Sequence, residues 1–182
     1  MFIVFEGIDA SGKTTVARLL ANHLQASYYA TPPKEFLLRR EEVDLNASAD
    51  DHYRFYLDGI RHASAEIWEL LSEGKTVISD RYWVSTYVYH SVMAASVSKE
   101  DFKNIVSPDM TVLLTVSPEV QEYRFAQRGM SAGDKRMLNQ QEAISREFKK
   151  LLVAEDHLVA IDTSFLTPSD VMAQVLAEIR NV

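Results

Sequence analysis

Cysteine is absent from the 182 residues, which removes disulfides, thiolate metal sites and cysteine nucleophiles together. Positive charge is also in short supply. Lys and Arg number 19 against 26 Asp and Glu, for a net charge of −7. That balance keeps the chain soluble and argues against a broad electrostatic footprint for polynucleotides. No apolar run is long enough to span a bilayer, and the N-terminal apolar stretch stops after four residues at Glu6, which predicts neither a membrane anchor nor a secretory signal. Repeats and low-complexity segments are missing too, and the five histidines show neither metal-ligand spacing nor a hydrolase signature. At 47% hydrophobic residues, the chain can bury one good core, so a single domain over residues 1–182 is expected.

What is present is a strand-like run, Phe2–Phe5, leading into Gly7-Ile8-Asp9-Ala10-Ser11-Gly12-Lys13-Thr14. This is a complete phosphate-binding loop. Its glycines let the backbone curl so that successive N–H groups face phosphate oxygens, Lys13 reaches the outer phosphates, and the Thr14 hydroxyl is a ligand for Mg²⁺. Val16, Leu19, Leu20 and Leu24 follow at helical spacing, which sets the anion at a helix N-terminus. A nucleoside triphosphate with Mg²⁺ is therefore the expected ligand. Such a ligand also favours a cytoplasmic location.

Further strand-like runs at Ser27–Ala30, Thr76–Ser79, Met110–Val116 and His157–Ile161 alternate with helical patterns. They predict an α/β fold of three layers, the P-loop NTPase arrangement, with a central parallel sheet of about five strands and helices on both faces. A long amphipathic helix runs from Tyr53 to Leu71 and ends near Gly74. Another begins at Thr167-Pro168. The stretch 129–141, poor in apolar residues and carrying Gly129 and Gly133, reads as a mobile loop and a short lid.

Asp80-Arg81-Tyr82 lies at the C-terminal tip of the strand expected beside the first. Asp80 would face Thr14 across the phosphate site and hold the metal or orient an attacking group. Arg81 offers a planar fork for a second phosphate.

These blocks together, Phe5-Glu6-Gly7-Ile8-Asp9-Ala10-Ser11-Gly12-Lys13-Thr14-Thr15, Asp80-Arg81-Tyr82, Pro108-Asp109-Met110-Thr111-Val112-Leu113-Leu114 and Ile161-Asp162, resemble the signatures of the thymidylate kinase family. The resemblance implies a homodimeric nucleoside monophosphate kinase that moves the γ-phosphate of ATP onto a small nucleotide acceptor, dTMP. It implies that Gly7 to Thr15 hold the donor, with Arg128, Asp162 and Thr163 near the adenosine. Asp9 and Arg81 would hold the acceptor, Thr14 and Asp80 the metal, and Tyr89, in the run from Ser85, would lie under the sugar. The family's helix-borne Phe and Arg, four apart, are not kept, which leaves Phe55, Tyr56 and Arg61 as base-facing candidates. Its arginine after the second strand is also missing, so Arg39 or Arg40 is expected as the replacement phosphate clamp. Ala10 stands where some relatives carry an arginine in the loop, and Arg136 of the lid is then the expected catalytic finger.

A deoxynucleoside kinase, or a kinase of another nucleotide on the same fold, remains the alternative. A GTP-binding switch would need a guanine-reading motif, and the nearest run, Ser98-Lys99-Glu100-Asp101, reads better as a helix cap.

Overall fold

Alternate residues of Phe2–Gly7 (β1) face opposite ways, and every residue of the strand is buried. A strand apolar on both faces has to be covered on both, which puts it in the middle of a layered fold. The computed structural model, which describes residues 1–152 and 157–180, has that arrangement. Ser27–Ala30 (β2), Val77–Asp80 (β3), Met110–Thr115 (β4) and Leu158–Asp162 (β5) complete one parallel sheet in the order β2-β3-β1-β4-β5. All five strands fall where the apolar runs predicted them, within a residue or two at each end.

Ile3 and Phe5 of β1 join Ile78, Val112 and Leu114 on one face, where Lys13–Leu24 (α1) and Pro168–Ile179 (α8) cover them with Val16, Leu20, Val171 and Val175. Phe2 and Val4 point the other way, onto Tyr53, Leu57, Ile60 and Ile67 of the long helix Ala49–Ser72 (α3). A third apolar group gathers Val84 and Val88 of Trp83–Val92 (α4) with Ile144 and Phe148 of Gln141–Leu152 (α7). Lys34–Asn46 (α2) precedes α3, and Pro118–Arg128 (α5) follows β4 with Ser117 as its N-cap. Gly74 closes α3 in the left-handed region, as its position suggested.

The stretch 129–141 departs from its expectation. From residue 132 on it is helical, not a loop: Ala132–Met137 (α6) starts at a capping box made by Ser131 and Asp134, passes through a 3₁₀ turn and enters α7. Its few apolar residues were enough because Met137 is buried and the box satisfies the first-turn N–H groups locally. α6 packs against α2.

Among the described residues no helix is long and apolar enough to cross a membrane.

Candidate active site

The loop between β1 and α1 owes its shape to three backbone positions. Gly7 has φ 138°, and a Cβ there would sit 2.1 Å from the Leu114 carbonyl oxygen, so β1 and β4 can come together only around a glycine. Gly12 (φ 96°) and Ala10 (φ 60°) turn the chain so that α1 begins at Lys13. Among the described residues no side chain caps that N-terminus. Its first-turn N–H groups and the positive end of the helix dipole therefore face the cleft, an arrangement suited to phosphate.

Lys13 is almost fully buried and donates to the Ile8 carbonyl at 2.6 Å. Burial pushes its ammonium down to about 7, with Arg81 adding to the effect and Asp9 and Asp80 opposing it. Polyphosphate in the cleft would supply the missing counter-charge. Thr14 Oγ1 donates to Asp80 Oδ2 at 2.5 Å, and Tyr28 Oη reaches the same oxygen at 3.2 Å. A hydroxyl and a carboxylate meeting at the foot of a phosphate loop form an all-oxygen donor pair that fits Mg²⁺.

Arg81 sits one residue past β3 with φ 69°, an uncommon conformation for a side chain of its size. The backbone is pinned there, because Arg81 N–H donates to Phe5 O at 2.9 Å and Ser79 Oγ donates to Arg81 O at 2.7 Å. The turn throws the guanidinium back across β1. Nη1 donates to Gly7 O (3.1 Å) and Ser85 Oγ (2.9 Å), and Nη2 pairs with Asp9. Tyr89 Oη donates to the other oxygen of Asp9 at 2.8 Å, and its ring lies under the guanidinium at 5.1 Å. Burial would raise Asp9, but the charges of Arg81 and Lys13 and the Tyr89 bond hold it below the usual carboxylate range. Burial pushes the Tyr89 phenol well up, so it remains a donor.

Beneath this pair, fully buried Glu6 accepts from Tyr82 N (3.0 Å), Ser85 N (3.2 Å) and Ser85 Oγ. It thereby caps the start of α4 and fixes Ser85 under Arg81. Behind the loop, Gln121 donates to Asp9 O at 2.8 Å, and Arg124 donates to Ala10 O at 3.0 Å and to Thr163 O at 2.7 Å. Both α5 residues hold the loop's carbonyls outward and leave its N–H groups free.

Two clefts meet at this point. One runs along Ala10 to Thr15 and is bordered by Arg124, Arg128 and Thr163. The other is walled by Tyr56, His52, Ser85, Tyr89 and His90, with Met137 and Arg136 closing it from α6. Asp9, Arg40 and Arg81 line both.

The remaining expected residues divide. Arg40 lies at the junction of the clefts, whereas Arg39, its neighbour on α2, points to solvent. Phe55 packs edge-on against Phe36 and lies outside both clefts, because the inward-facing aromatic of that helical turn is Tyr56. Arg61 is exposed on the far side of α3 beside Asp58 (3.7 Å), so it does not reach a base. Asp162 is exposed and accepts from Ser164, whereas Thr163 is buried against the loop, donating to Ser11 O at 2.9 Å. Arg136 is not at the phosphate loop. It donates to Asp44 O (2.9 Å) and Ala47 O (2.8 Å), the free carbonyls at the end of α2, where the helix dipole favours a cation. Besides Arg40 and Arg81, the arginines that border the loop cleft are Arg124, spent on the loop, and Arg128, which among the described residues pairs with Asp134 at 3.0 Å and lies over the Phe125 ring.

Sequence reasoning did not find Asp44, His52 or His90 in the second cleft. His52 stands one helical turn before Tyr56, and that spacing was the only signal available.

Comparison with known proteins agrees with this geometry. The family model described as thymidylate kinase matches residues 5–175. A probable thymidylate kinase of Pyrobaculum aerophilum is 36% identical over an alignment spanning 100% of this chain and 97% of its own length. One of Methanocaldococcus jannaschii is 31% identical with the same coverage of both chains. In three dimensions the chain resembles the thymidylate kinase structure of Candida albicans, with a TM-score of 0.83, 19% identity, and coverage of 99% of this chain and 91% of that one. With relatives matched end to end, and a phosphate loop, an Asp-Arg strand tip and two joined clefts at the positions just described, the chain belongs to the thymidylate kinase family.

Proposed function

We propose that this ATP-dependent phosphotransferase converts dTMP to dTDP, with ATP along the loop cleft and the acceptor in the cleft walled by Tyr56 and Tyr89. One observation carries the reading: Arg81, Arg40 and Asp9 line both clefts, so two anionic groups bound there come end to end. Arg81 and Arg40, each with one carboxylate partner, bring two guanidinium forks to the junction, a donor set suited to a phosphate on the acceptor, which favours a monophosphate over a nucleoside.

Transfer needs an acceptor phosphate oxygen in line with the γ-phosphorus and the β,γ-bridging oxygen. As the new P–O bond forms, the bond to the bridging oxygen breaks and ADP leaves. The attacking oxygen is already anionic, so no proton has to be removed first. Little covalent work remains for the protein, and catalysis is positioning plus stabilisation of equatorial charge. Lys13 and the α1 N–H groups hold the donor, Arg81 and Arg40 the acceptor phosphate, and Arg128 is the arginine able to turn onto the transferring group. Thr14 and Asp80 would hold Mg²⁺, whose chemistry is neutralisation of charge on the donor oxygens. Tyr89, fixed by Asp9, lies where a sugar would rest. Arg136 acts by keeping α6 against α2 over the acceptor.

The same reading takes the protein to be a cytoplasmic homodimer. Sedimentation at micromolar concentration tests the dimer, and a monomer there would refute it. The activity itself is tested by ADP release with ATP in excess and a panel of nucleosides and monophosphates. Saturable turnover with dTMP is expected. Saturable turnover with thymidine alone would replace the reading by a deoxynucleoside kinase.

A further inference from the structure

Among the described residues of α2, Asp44 alone is fully buried, while Leu37, Leu38 and Leu45 lie exposed. The position of a helix that buries so little apolar surface depends on its polar anchors. The position matters because α2 carries Arg40, four residues before Asp44, to the junction of the two clefts.

Asp44 is the first link of a chain of bonds along the wall of the acceptor cleft. Its Oδ1 lies 3.1 Å from His52 Nε2. His52 Nδ1 lies 2.7 Å from His90 Nε2, and His90 Nδ1 lies 2.5 Å from Thr86 O. All three residues are at most 7% exposed. The protons can be counted from the ends. A carbonyl only accepts, so His90 Nδ1 carries a proton. Burial keeps His90 neutral, moving it down to about 4, so its Nε2 is a lone pair and His52 Nδ1 must donate. At the other end, burial works against the Asp44 charge, but bonds from His52 and Tyr56 and the nearby Arg40 outweigh it and keep the group an acceptor. His52 Nε2 must therefore donate as well.

Nearby cations oppose an extra proton on the chain, and the buried Asp44 carboxylate offsets them. On α2, Arg40 lies 3.5 Å from Asp44 Oδ2. On α3, Tyr56 donates to Asp44 Oδ1 at 2.7 Å and stacks on the His52 ring, while Tyr53 packs on His90. From α6, Arg136 holds the Asp44 carbonyl, and Asp134 is occupied by Arg128. A neutral His52 would turn a lone pair on either the Asp44 carboxylate or the His90 nitrogen, and one link would break.

We propose that His52 is a positioning residue of the acceptor site, carrying both ring protons and tying α2, and with it Arg40, to α4. It follows that acceptor affinity falls when His52 loses a proton, while donor affinity does not. This consequence rests on the acceptor reading of the cleft; the proton count does not.

The test has two arms. Nitrogen-15 NMR of histidine-labelled protein without ligands should show both His52 ring nitrogens protonated and His90 as the neutral Nδ1–H tautomer. A His52 ring with one bare nitrogen would overturn the proposal. Second, KM for dTMP and for ATP is measured between about pH 6 and 9, a range spanning histidine titration, in the wild type, His52→Gln and Asp44→Asn. The acceptor's own second ionisation, near pH 6, is common to all three and cancels in the comparison. In the wild type, KM for dTMP should rise several-fold with pH while KM for ATP stays level. In His52→Gln it should begin roughly tenfold higher, the loss expected for one broken charged link, and stay flat relative to the wild type. Asp44→Asn, which retains the shape of the anchor, should flatten in the same way. Parallel changes in both KM values, or a wild-type profile in both variants, would overturn the proposal. Absence of any turnover with dTMP in the wild type would refute the proposed function instead, and the NMR arm would still decide the proton count.

Discussion

Arg81 shows how much of this site depends on one residue's backbone. Its left-handed φ aims the guanidinium across β1 at Asp9, and that conformation is stable only because Phe5 O and Ser79 Oγ hold both sides of the peptide. Arg81→Ala should leave the fold intact and lower kcat by ~10²-fold or more, because its contacts strengthen as charge moves toward the acceptor. Lys13→Ala should do the same; near-normal turnover in either variant would remove that residue from the mechanism. Arg128→Ala should lower kcat by at least ~10-fold, whereas Arg136→Ala should mainly raise KM for the acceptor. The reverse pattern would return the catalytic role to Arg136. His90 gives a pH prediction. Its folded form titrates at about 4 against an ordinary 6.5, so the unfolded chain binds more protons between those values. Stability should therefore be lost as pH falls from about 6.5 to 4, by on the order of 2 kcal/mol. Urea midpoints across that window should fall less in His90→Gln; equal slopes would contradict the assignment.

At the scale of elements, the glycine at the end of β1 has the clearest consequence. Gly7→Ala places a methyl group against the Leu114 carbonyl and demands a positive φ of alanine. It should cost about 3 kcal/mol or more, read as a drop in the urea midpoint. A neutral result would mean that β1 and β4 separate more easily than their register implies. The strands were legible in the sequence because each is a short apolar run whose alternate residues meet two covering layers. α6 was not, since a six-residue helix stabilised by one capping box and one buried Met137 leaves almost no periodic signal. Its partner was equally hidden. Arg136 finds the end of α2, and nothing near position 136 in the chain announces carbonyls 92 residues away.

Across the whole molecule, sequence and structure agree best where a residue's role is set by its own neighbours along the chain. The donor half was readable: a loop, a helix N-terminus and a strand tip lie within short motifs, and β3 beside β1 brings Asp80 onto Thr14. The proposed acceptor half was readable in Asp9, Arg81, Ser85 and Tyr89, and as undecided pairs in Arg39 with Arg40 and Phe55 with Tyr56. Its far wall is assembled from α2, α3, α4 and α6, so Asp44, His52 and His90 become neighbours only after folding. The same assembly decides between adjacent candidates, turning Arg40 in and Arg39 out, and Tyr56 in and Phe55 aside.

The central claim is that donor and acceptor phosphates meet beside Arg81. A bisubstrate molecule in which adenosine and thymidine are joined through a chain of phosphates tests it most directly, by calorimetry and by inhibition. The account predicts one molecule bound per chain, competition with both ATP and dTMP, and a steep loss of affinity in Arg81→Ala. Competition with ATP alone, at an affinity indifferent to Arg81, would contradict it.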